Sequence, residues 1–203
     1  LGADDGKRHW QINVPETLKV KVTARWGYAG SPLVRDGRVI VAADPGAVAL
    51  KADSGEVAWT VKSQPTGYAA PLPARLDGRD VLLILAGSEL LSVNPDDGSV
   101  HWRFAFKPYY PNNCADPIVS GDRVFISAAY RAGCALLKVA DGQATQAWKG
   151  DQISAHFSPL VARDGHVFGF DGDIRSKVHL KCVELATGKV KWDYKYQEQV
   201  GVW

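Results

Sequence analysis

The chain contains 203 residues, of which 46% are hydrophobic, so it can bury the core of a globular protein. Its 24 Lys and Arg residues nearly balance 22 Asp and Glu residues without any block of like charges, and nothing predicts a nucleic-acid groove. No apolar run approaches the roughly 18 residues of a membrane-spanning helix, so we expect no membrane span. The absence of methionine, even at position 1, predicts a processed or excised piece of a longer protein.

The segment 1–14, first in chain order, contains a motif in which an acidic turn with a glycine precedes Trp10. The motif returns four times, and its tryptophans stand at positions 10, 59, 102, 148 and 192, with spacings of 49, 43, 46 and 44 residues. A second marker keeps the same phase, because a proline opens an apolar run at Ser31-Pro32, Ala70-Pro71, Asp116-Pro117 and Ser158-Pro159. Two markers with one period predict an internal repeat of about 45 residues.

The first complete unit shows only β-strand signals. After Ser31-Pro32 come a short apolar run, a turn at Asp36-Gly37, a strand over 38–43, a turn at Gly46, a strand over 47–51, a turn at Ser54-Gly55 and a strand over 56–61. Glycine suits these tight turns because it adopts positive φ without steric cost. Each unit is therefore predicted to be a four-stranded antiparallel meander, and no long helix is expected.

The repeat divides the whole chain into blades. We predict complete blades at about 23–63, 64–106, 107–150 and 151–195, with 1–14 as the final strand of a preceding blade and 196–203 as the lead-in to a next one. In the fourth copy of the motif, Gly142 stands six residues before Trp148 rather than four, and we expect a bulge or a looser loop to absorb the difference.

A four-stranded meander repeated every 40–50 residues is typical of a β-propeller, because a single meander exposes two apolar faces that neighbouring blades must cover. Trp10, Trp59, Trp102, Trp148 and Trp192 are accordingly interpreted as structural residues that fill the space between blades. The copies ALKADSGEVAW (49–59) and CVELATGKVKW (182–192), together with the Ser-Pro marker, resemble the pyrroloquinoline-quinone-type (PQQ-like) propeller repeat. This resemblance implies an all-β ring of seven or eight blades. Four are present, so we expect a longer chain, a second copy or a protein partner to complete the ring.

Candidate binding residues precede the proline markers, where the innermost strand of a propeller blade meets the central channel. They are Trp26, Tyr28, Tyr68, Asn113, Cys114, Asp116 and His156. These side chains could contact a sugar, a peptide or a quinone, or they could simply be hydrogen-bonded to water and neighbouring backbone. The polar-aromatic connection 109–113 is suited to contact at the rim, since loops often carry recognition. The three cysteines are expected to be buried and unpaired, with a Cys114–Cys134 bridge as the alternative.

Two functions remain open. The first is a non-enzymatic binding or scaffold module of an extracytoplasmic bacterial protein, periplasmic or extracellular, with no catalytic residue, no metal site and no cofactor. The second is a fragment of a quinoprotein alcohol or sugar dehydrogenase. That resemblance implies PQQ with calcium, and Asp116 as base and Asn113 as calcium ligand. The vicinal cysteine pair of methanol-dehydrogenase-type enzymes is absent from the sequence, which favours the first function.

Overall fold

The computed structural model describes residues 1–2, 4–63, 65–173 and 177–195, so the predicted lead-in over 196–203 lies outside the described residues. The described residues form one short helix, α1 (Val14–Leu18), and sixteen strands. Within these ranges no helix has the length and apolar character that crossing a membrane demands.

The sixteen strands form four sheets of four strands each. The first sheet contains β1 (Leu33–Arg35), β2 (Arg38–Val41), β3 (Gly46–Lys51) and β4 (Val57–Lys62). The second contains β5 (Leu72–Leu76), β6 (Arg79–Leu85), β7 (Glu89–Val93) and β8 (Val100–Ala105). The third contains β9 (Ile118–Ser120), β10 (Arg123–Ala128), β11 (Gly133–Ala140) and β12 (Gln143–Gly150). The fourth contains β13 (Val161–Arg163), β14 (His166–Asp171), β15 (His179–Glu184) and β16 (Val190–Lys195).

Within each sheet, every strand pairs antiparallel with the strand before or after it in the sequence, so each sheet is a meander joined by hairpins. Asp36 and Gly37, with φ of 48° and 69°, make the two-residue turn between β1 and β2, a backbone that matches the right-handed twist of paired strands. The predicted all-β fold of four-stranded antiparallel blades, a partial propeller, is confirmed.

The third sheet departs from the expected turn. In all four sheets the strand pairing shifts register just before the motif tryptophan, which indicates a β-bulge. The bulge before Trp148 is therefore not specific to the longer copy of the motif in the third sheet. The extra residues instead lengthen β11 and β12 to eight residues each, and the strands close on a two-residue turn at Asp141-Gly142, with φ of 53° and 71°. The expectation of a bulge or looser loop was therefore wrong: strand pairing continues to a tight turn because both turn positions tolerate positive φ.

The hydrophobic core is divided among the spaces between successive sheets. Between the first and second sheets, Ile40, Ala49 and Trp59 pack against Leu82 and Leu91. The second and third sheets enclose a cluster that includes Leu83, Trp102 and Leu137. The third and fourth sheets enclose Phe125, Leu136 and Val183, with Trp148 at the margin. The sheets are thus stacked side by side through their faces, as propeller blades are.

The N-terminal segment is not the strand that the sequence suggested, since no strand is assigned within the described part of 1–14. A strand is defined by backbone hydrogen bonds to a neighbouring strand, and no described strand pairs with the backbone of this segment. Asn13 instead caps α1 by accepting from the Glu16 backbone N–H (3.5 Å), and Pro15 supports its first turn. The segment covers the first sheet by packing Trp10, Ile12, Val14 and Leu18 against Val48 and Leu50.

Candidate functional site

The candidate residues lie at one end of the sheets. In a four-stranded meander, the loop before the first strand, the hairpin between the second and third strands and the loop after the fourth strand share that end. Here the blade-to-blade connections occupy 19–32, 65–71, 106–117 and 151–160, and all candidate residues fall within them. We call this side the connector end, and the opposite side, which carries the hairpins at Asp36-Gly37 and Ser54-Gly55, the turn end.

Tyr28 belongs to a network around a buried carboxylate. Asp44 is fully buried and accepts hydrogen bonds from the Thr23 backbone N–H (2.8 Å), the Thr23 hydroxyl (2.5 Å), the Tyr28 hydroxyl (3.0 Å) and the Thr66 hydroxyl (3.1 Å). Burial, with the neighbouring Asp44 carboxylate, raises the pKa of Tyr28 to about 12. The network ties the connection 19–32 and the connection before β5 to the first sheet. It therefore gives Tyr28 a structural task.

Asn113 and Asp116 also hold connections in place. The Asn113 side-chain amide donates to the carbonyls of Ala86 (2.6 Å) and Phe106 (3.3 Å). One oxygen of Asp116 accepts from the Ala70 backbone N–H (2.8 Å) in the preceding connection. Both side chains thus satisfy backbone groups that loops would otherwise leave unpaired.

The exposed Trp26 and the half-buried Tyr68 form an aromatic pair at the connector end. Their ring centroids lie 6.0 Å apart, and the Trp26 backbone N–H donates to the Tyr68 hydroxyl (3.3 Å). The Arg25 guanidinium lies 5.2 Å from the Trp26 ring centroid, within reach of a cation–π interaction. The Trp26 side chain is 64% exposed, so it is available to a partner.

A row of five rings crosses the same end. Tyr109 contacts Tyr110 (centroids 4.9 Å apart), Tyr110 contacts Tyr130 (5.1 Å), Tyr130 contacts His156 (4.9 Å) and His156 stacks on Phe157 (3.6 Å). The first three contacts are edge-to-face, with interplanar angles of 84°, 89° and 84°, an arrangement that aromatic quadrupoles favour. We call these five residues the aromatic row.

Sequence reasoning found only part of the aromatic row. It pointed to His156 and to the connection that holds Tyr109 and Tyr110, but it missed Tyr130 and Phe157. Phe157 could have been found, because it directly follows His156 ahead of the proline marker. Tyr130 lies in the hairpin between β10 and β11 with φ of 54°, a backbone conformation that aromatic residues rarely adopt. Nothing in the sequence predicts this conformation.

His156 is the buried member of the row. It is 1% exposed, and neither ring nitrogen has a hydrogen-bond partner among the described residues. Desolvation lowers the pKa of His156, and the negative charge of Asp173 opposes this shift only in part. The imidazole therefore packs as a neutral ring, and protonating it carries a free-energy cost.

The structure contains three free cysteines, Cys114, Cys134 and Cys182. It therefore does not contain the Cys114–Cys134 disulfide that was the alternative prediction. Cys114 donates a hydrogen bond to the Asn112 carbonyl (3.1 Å). Burial raises the pKa of the Cys114 thiol to about 12 and that of Cys134 to about 11. Both thiols are consequently held in the unreactive protonated form.

The residues suggested for a quinone and calcium site do not fit one. Asp116 accepts a hydrogen bond from a backbone N–H, and the Asn113 amide nitrogen donates to a backbone carbonyl. The Asn113 side-chain oxygen is buried and has no hydrogen-bond partner among the described residues. Over the described ranges, no three His, Cys, Asp or Glu side chains come together as a metal-binding group. Calcium binds about six to eight oxygen ligands arranged around the ion, and these two side chains do not supply them.

Comparison with known proteins agrees with the repeat. A family model described as outer membrane protein assembly factor BamB matches residues 1–194. No curated protein matches the sequence.

Solved structures share the fold at low sequence identity. BamB from Moraxella catarrhalis matches with a TM-score of 0.56 and 15% identity over 81% of this chain and 49% of that chain. Quinohemoprotein alcohol dehydrogenase from Comamonas testosteroni matches with a TM-score of 0.56 and 14% identity over 83% of this chain and 35% of that chain. The computationally designed protein Ika8 matches with a TM-score of 0.52 and 12% identity over 80% of this chain and 48% of that chain. The chain thus spans half or less of the length of these structures.

Proposed function

The chain belongs to the PQQ-type repeat family described as outer membrane protein assembly factor BamB, and from this premise we propose that it is a non-enzymatic binding or scaffold module. Its place would be an extracytoplasmic compartment of a bacterium, periplasmic or extracellular. The partner would be another protein, which contacts the connector end. The family description, which concerns the assembly of outer membrane proteins, supports this compartment and this kind of partner.

The observation that carries the proposal is the set of exposed aromatic side chains at the connector end. Trp26, Tyr109, Tyr110 and Phe157 are 64, 72, 46 and 46% exposed. Tryptophan and tyrosine are enriched at the centres of protein–protein interfaces, where they bury large areas at a low cost in side-chain entropy. Polar neighbours such as Asp44, Asn113 and Asp116 are instead engaged within the fold.

The geometry of the aromatic row favours a polypeptide over a sugar as the ligand. Carbohydrates stack on flat ring faces, whereas Tyr109, Tyr110, Tyr130 and His156 alternate at nearly right angles. Perpendicular rings present edges as well as faces, and both pack well against aliphatic or aromatic side chains. A protein loop or an extended segment with apolar side chains therefore suits this surface.

Photocrosslinking in the source bacterium tests the proposed function. A crosslinking amino acid at Tyr109 or Trp26 should give the same discrete protein adduct, and one at Arg75 on the turn end should not. Tyr109→Ala combined with Tyr110→Ala should abolish the adduct formed from position 26. Identical adduct patterns at both ends, or no adduct at the connector end, would refute the proposed binding surface. Release of the full-length protein by osmotic shock checks the proposed compartment.

We also propose that the module works without PQQ. Adding PQQ and Ca²⁺ to the purified chain should produce neither bound-cofactor absorbance nor dye-linked oxidation of simple alcohols or sugars. Stoichiometric binding with turnover would instead establish the quinoprotein dehydrogenase alternative.

A further inference from the structure

Unpaired cationic side chains gather at the connector end. The connections that precede the first three sheets, 19–32, 65–71 and 106–117, and the hairpin 129–132 contain exposed Lys and Arg residues that form no ion pair with any described residue. They are Lys19, Lys21, Arg25, Lys107 and Arg131.

The acidic side chains in the same part of the connector end are engaged within the fold. Asp44 is fully buried among hydrogen-bond donors. Glu89 pairs with Arg103 (2.7 Å), and Asp116 accepts from a backbone N–H (2.8 Å). Asp151 lies further along, in the connection of the fourth sheet. The connections of the first three sheets therefore present an excess of positive charge.

The turn end differs because its cations are paired with neighbouring acids. Lys51 lies 2.6 Å from Glu56 across the hairpin between β3 and β4, and Arg75 lies 3.1 Å from Asp80 across the hairpin between β5 and β6. Paired charges of opposite sign cancel at a distance, whereas unpaired charges of one sign attract an oppositely charged partner. The connector end is thus the side that favours an acidic partner.

The hairpin between β10 and β11 fixes one of these cations beside the aromatic row. A hydrogen bond from the Ala132 N–H to the Ala129 carbonyl (3.3 Å) closes a four-residue turn. Its central residues, Tyr130 and Arg131, have φ of 54° and 68°, a backbone for which Asn-Gly is a common sequence and which larger residues adopt at a cost. The Tyr109 N–H donates to the Tyr130 carbonyl (2.9 Å), so the turn is held against the aromatic row.

Backbone strain of this kind persists where the surrounding structure holds a residue in place, and it is concentrated at binding sites. Here it places the exposed Arg131 directly after Tyr130, a member of the aromatic row. A planar guanidinium binds a carboxylate through two parallel hydrogen bonds, which demand a defined position. A fluid layer of lipid headgroups would require only the positive charge. The fixed arrangement therefore favours a polypeptide whose carboxylates lie next to apolar side chains.

We propose that the connector end recognises an acidic segment of its protein partner. Apolar side chains of that segment pack on the aromatic row, and an Asp or Glu carboxylate pairs with the Arg131 guanidinium. The other cations attract the segment at long range and speed its association. This inference rests on the proposed function, to which it adds the chemistry of the partner.

Short synthetic peptides test the proposal in solution. One peptide alternates Glu with Leu, a second alternates Lys with Leu, and a third alternates Glu with Ser. In fluorescence anisotropy, the wild-type chain should bind the Glu-Leu peptide about tenfold more tightly than either of the others, because only this peptide has both carboxylates and apolar side chains. Added salt should weaken this binding, since it screens the attraction between exposed charges.

Arg131→Gly separates recognition from folding. It should weaken binding of the Glu-Leu peptide about tenfold, as expected for the loss of a charge-assisted hydrogen bond. Its midpoint of thermal unfolding should not fall, because glycine adopts φ of 68° without steric cost. A purely structural role for Arg131 would instead lower stability and leave the affinity unchanged. Lys138→Gln, an exposed cation on β11 nearer the turn end, is the matched control and should bind the peptide like the wild type.

Three results would overturn the proposal: equal affinity for the Glu-Leu and Lys-Leu peptides, an affinity unaffected by Arg131→Gly, or cosedimentation of the chain with phosphatidylglycerol vesicles without peptide binding. The photocrosslinked adduct from position 109 separates this inference from the proposed function. If the adduct persists alongside any of these results, only the acidic-segment inference fails. If the adduct is absent, the proposed function and this inference fail together.

Discussion

Gly98, in the turn between β7 and β8, meets two separate physical demands. Gly98 has φ of 73°, which any residue with a side chain adopts only at a cost. A Cβ atom at Gly98 would also lie 2.7 Å from the Trp59 ring, well inside van der Waals contact. The motif therefore couples a backbone requirement to the packing of the indole of the preceding sheet.

Two glycine substitutions separate these demands. Gly78 has a similar φ of 69°, but a Cβ atom there would have no neighbour within 4 Å. Gly78→Ala should cost about 1 kcal/mol of unfolding free energy from backbone strain alone. Gly98→Ala should cost about 1–3 kcal/mol more, because it overpacks against Trp59. Urea denaturation measures both values, and equal costs would contradict the packing role of Gly98.

His156 should give the stability of the protein a specific pH dependence. The pKa of His156 is lowered in the folded state. The neutral ring therefore makes its full contribution to the free energy of unfolding above the ordinary histidine pKa of about 6.5. As the pH falls below this value, the unfolded chain takes up the proton more readily than the folded protein, and this contribution is lost. His156→Phe should therefore flatten the unfolding free energy between about pH 7 and pH 5. The exposed His9, changed to Gln, is the control and should leave the slope unchanged.

At the scale of elements, a tryptophan buried between two sheets and one exposed on the fourth sheet should contribute differently to the free energy of unfolding. Trp59→Ala removes a buried indole and one hydrogen bond between sheets and should cost about 3–5 kcal/mol. Trp192→Ala removes an equivalent indole that no described sheet covers and should cost less than about 1 kcal/mol in the isolated chain. Chemical denaturation of both variants compares them directly, and similar losses would mean that Trp192 is already packed.

Strands and turns were predictable where local sequence decides them. The Asp36-Gly37 and Ser54-Gly55 turns, and the strands between them, follow from residues that favour positive φ and from β-rich runs. Two elements depended on more distant partners. The segment that carries Trp10 bonds to the first sheet through its indole, but no described strand pairs with its backbone, and it is therefore not a strand. The hairpin at Asp141-Gly142 lengthened because pairing between β11 and β12 could continue.

At the scale of the whole molecule, the repeat predicted the end at which the candidate residues gather but not their roles. Position relative to the proline marker placed Asn113, Asp116 and His156 in connections, which share one end of every meander. Which side chains are committed to the fold depends on contacts across blades, such as the bond from the Ala70 N–H to Asp116. The aromatic row likewise joins three separate loops, a proximity that a one-dimensional period does not encode.

The described residues thus form four blades packed face to face, with Trp10 packed on the first sheet and Trp192 exposed on the fourth. Exchange of the tryptophan indole N–H protons, followed by NMR and assigned with single Trp→Phe variants, tests this arrangement most directly. The indole N–H groups of Trp10, Trp59 and Trp148 donate to backbone carbonyls of the first, second and fourth sheets and should exchange slowly, while that of Trp192, which is 44% exposed, should exchange fast. Slow exchange of Trp192 in the isolated chain, or equal exchange of all four protons, would contradict it.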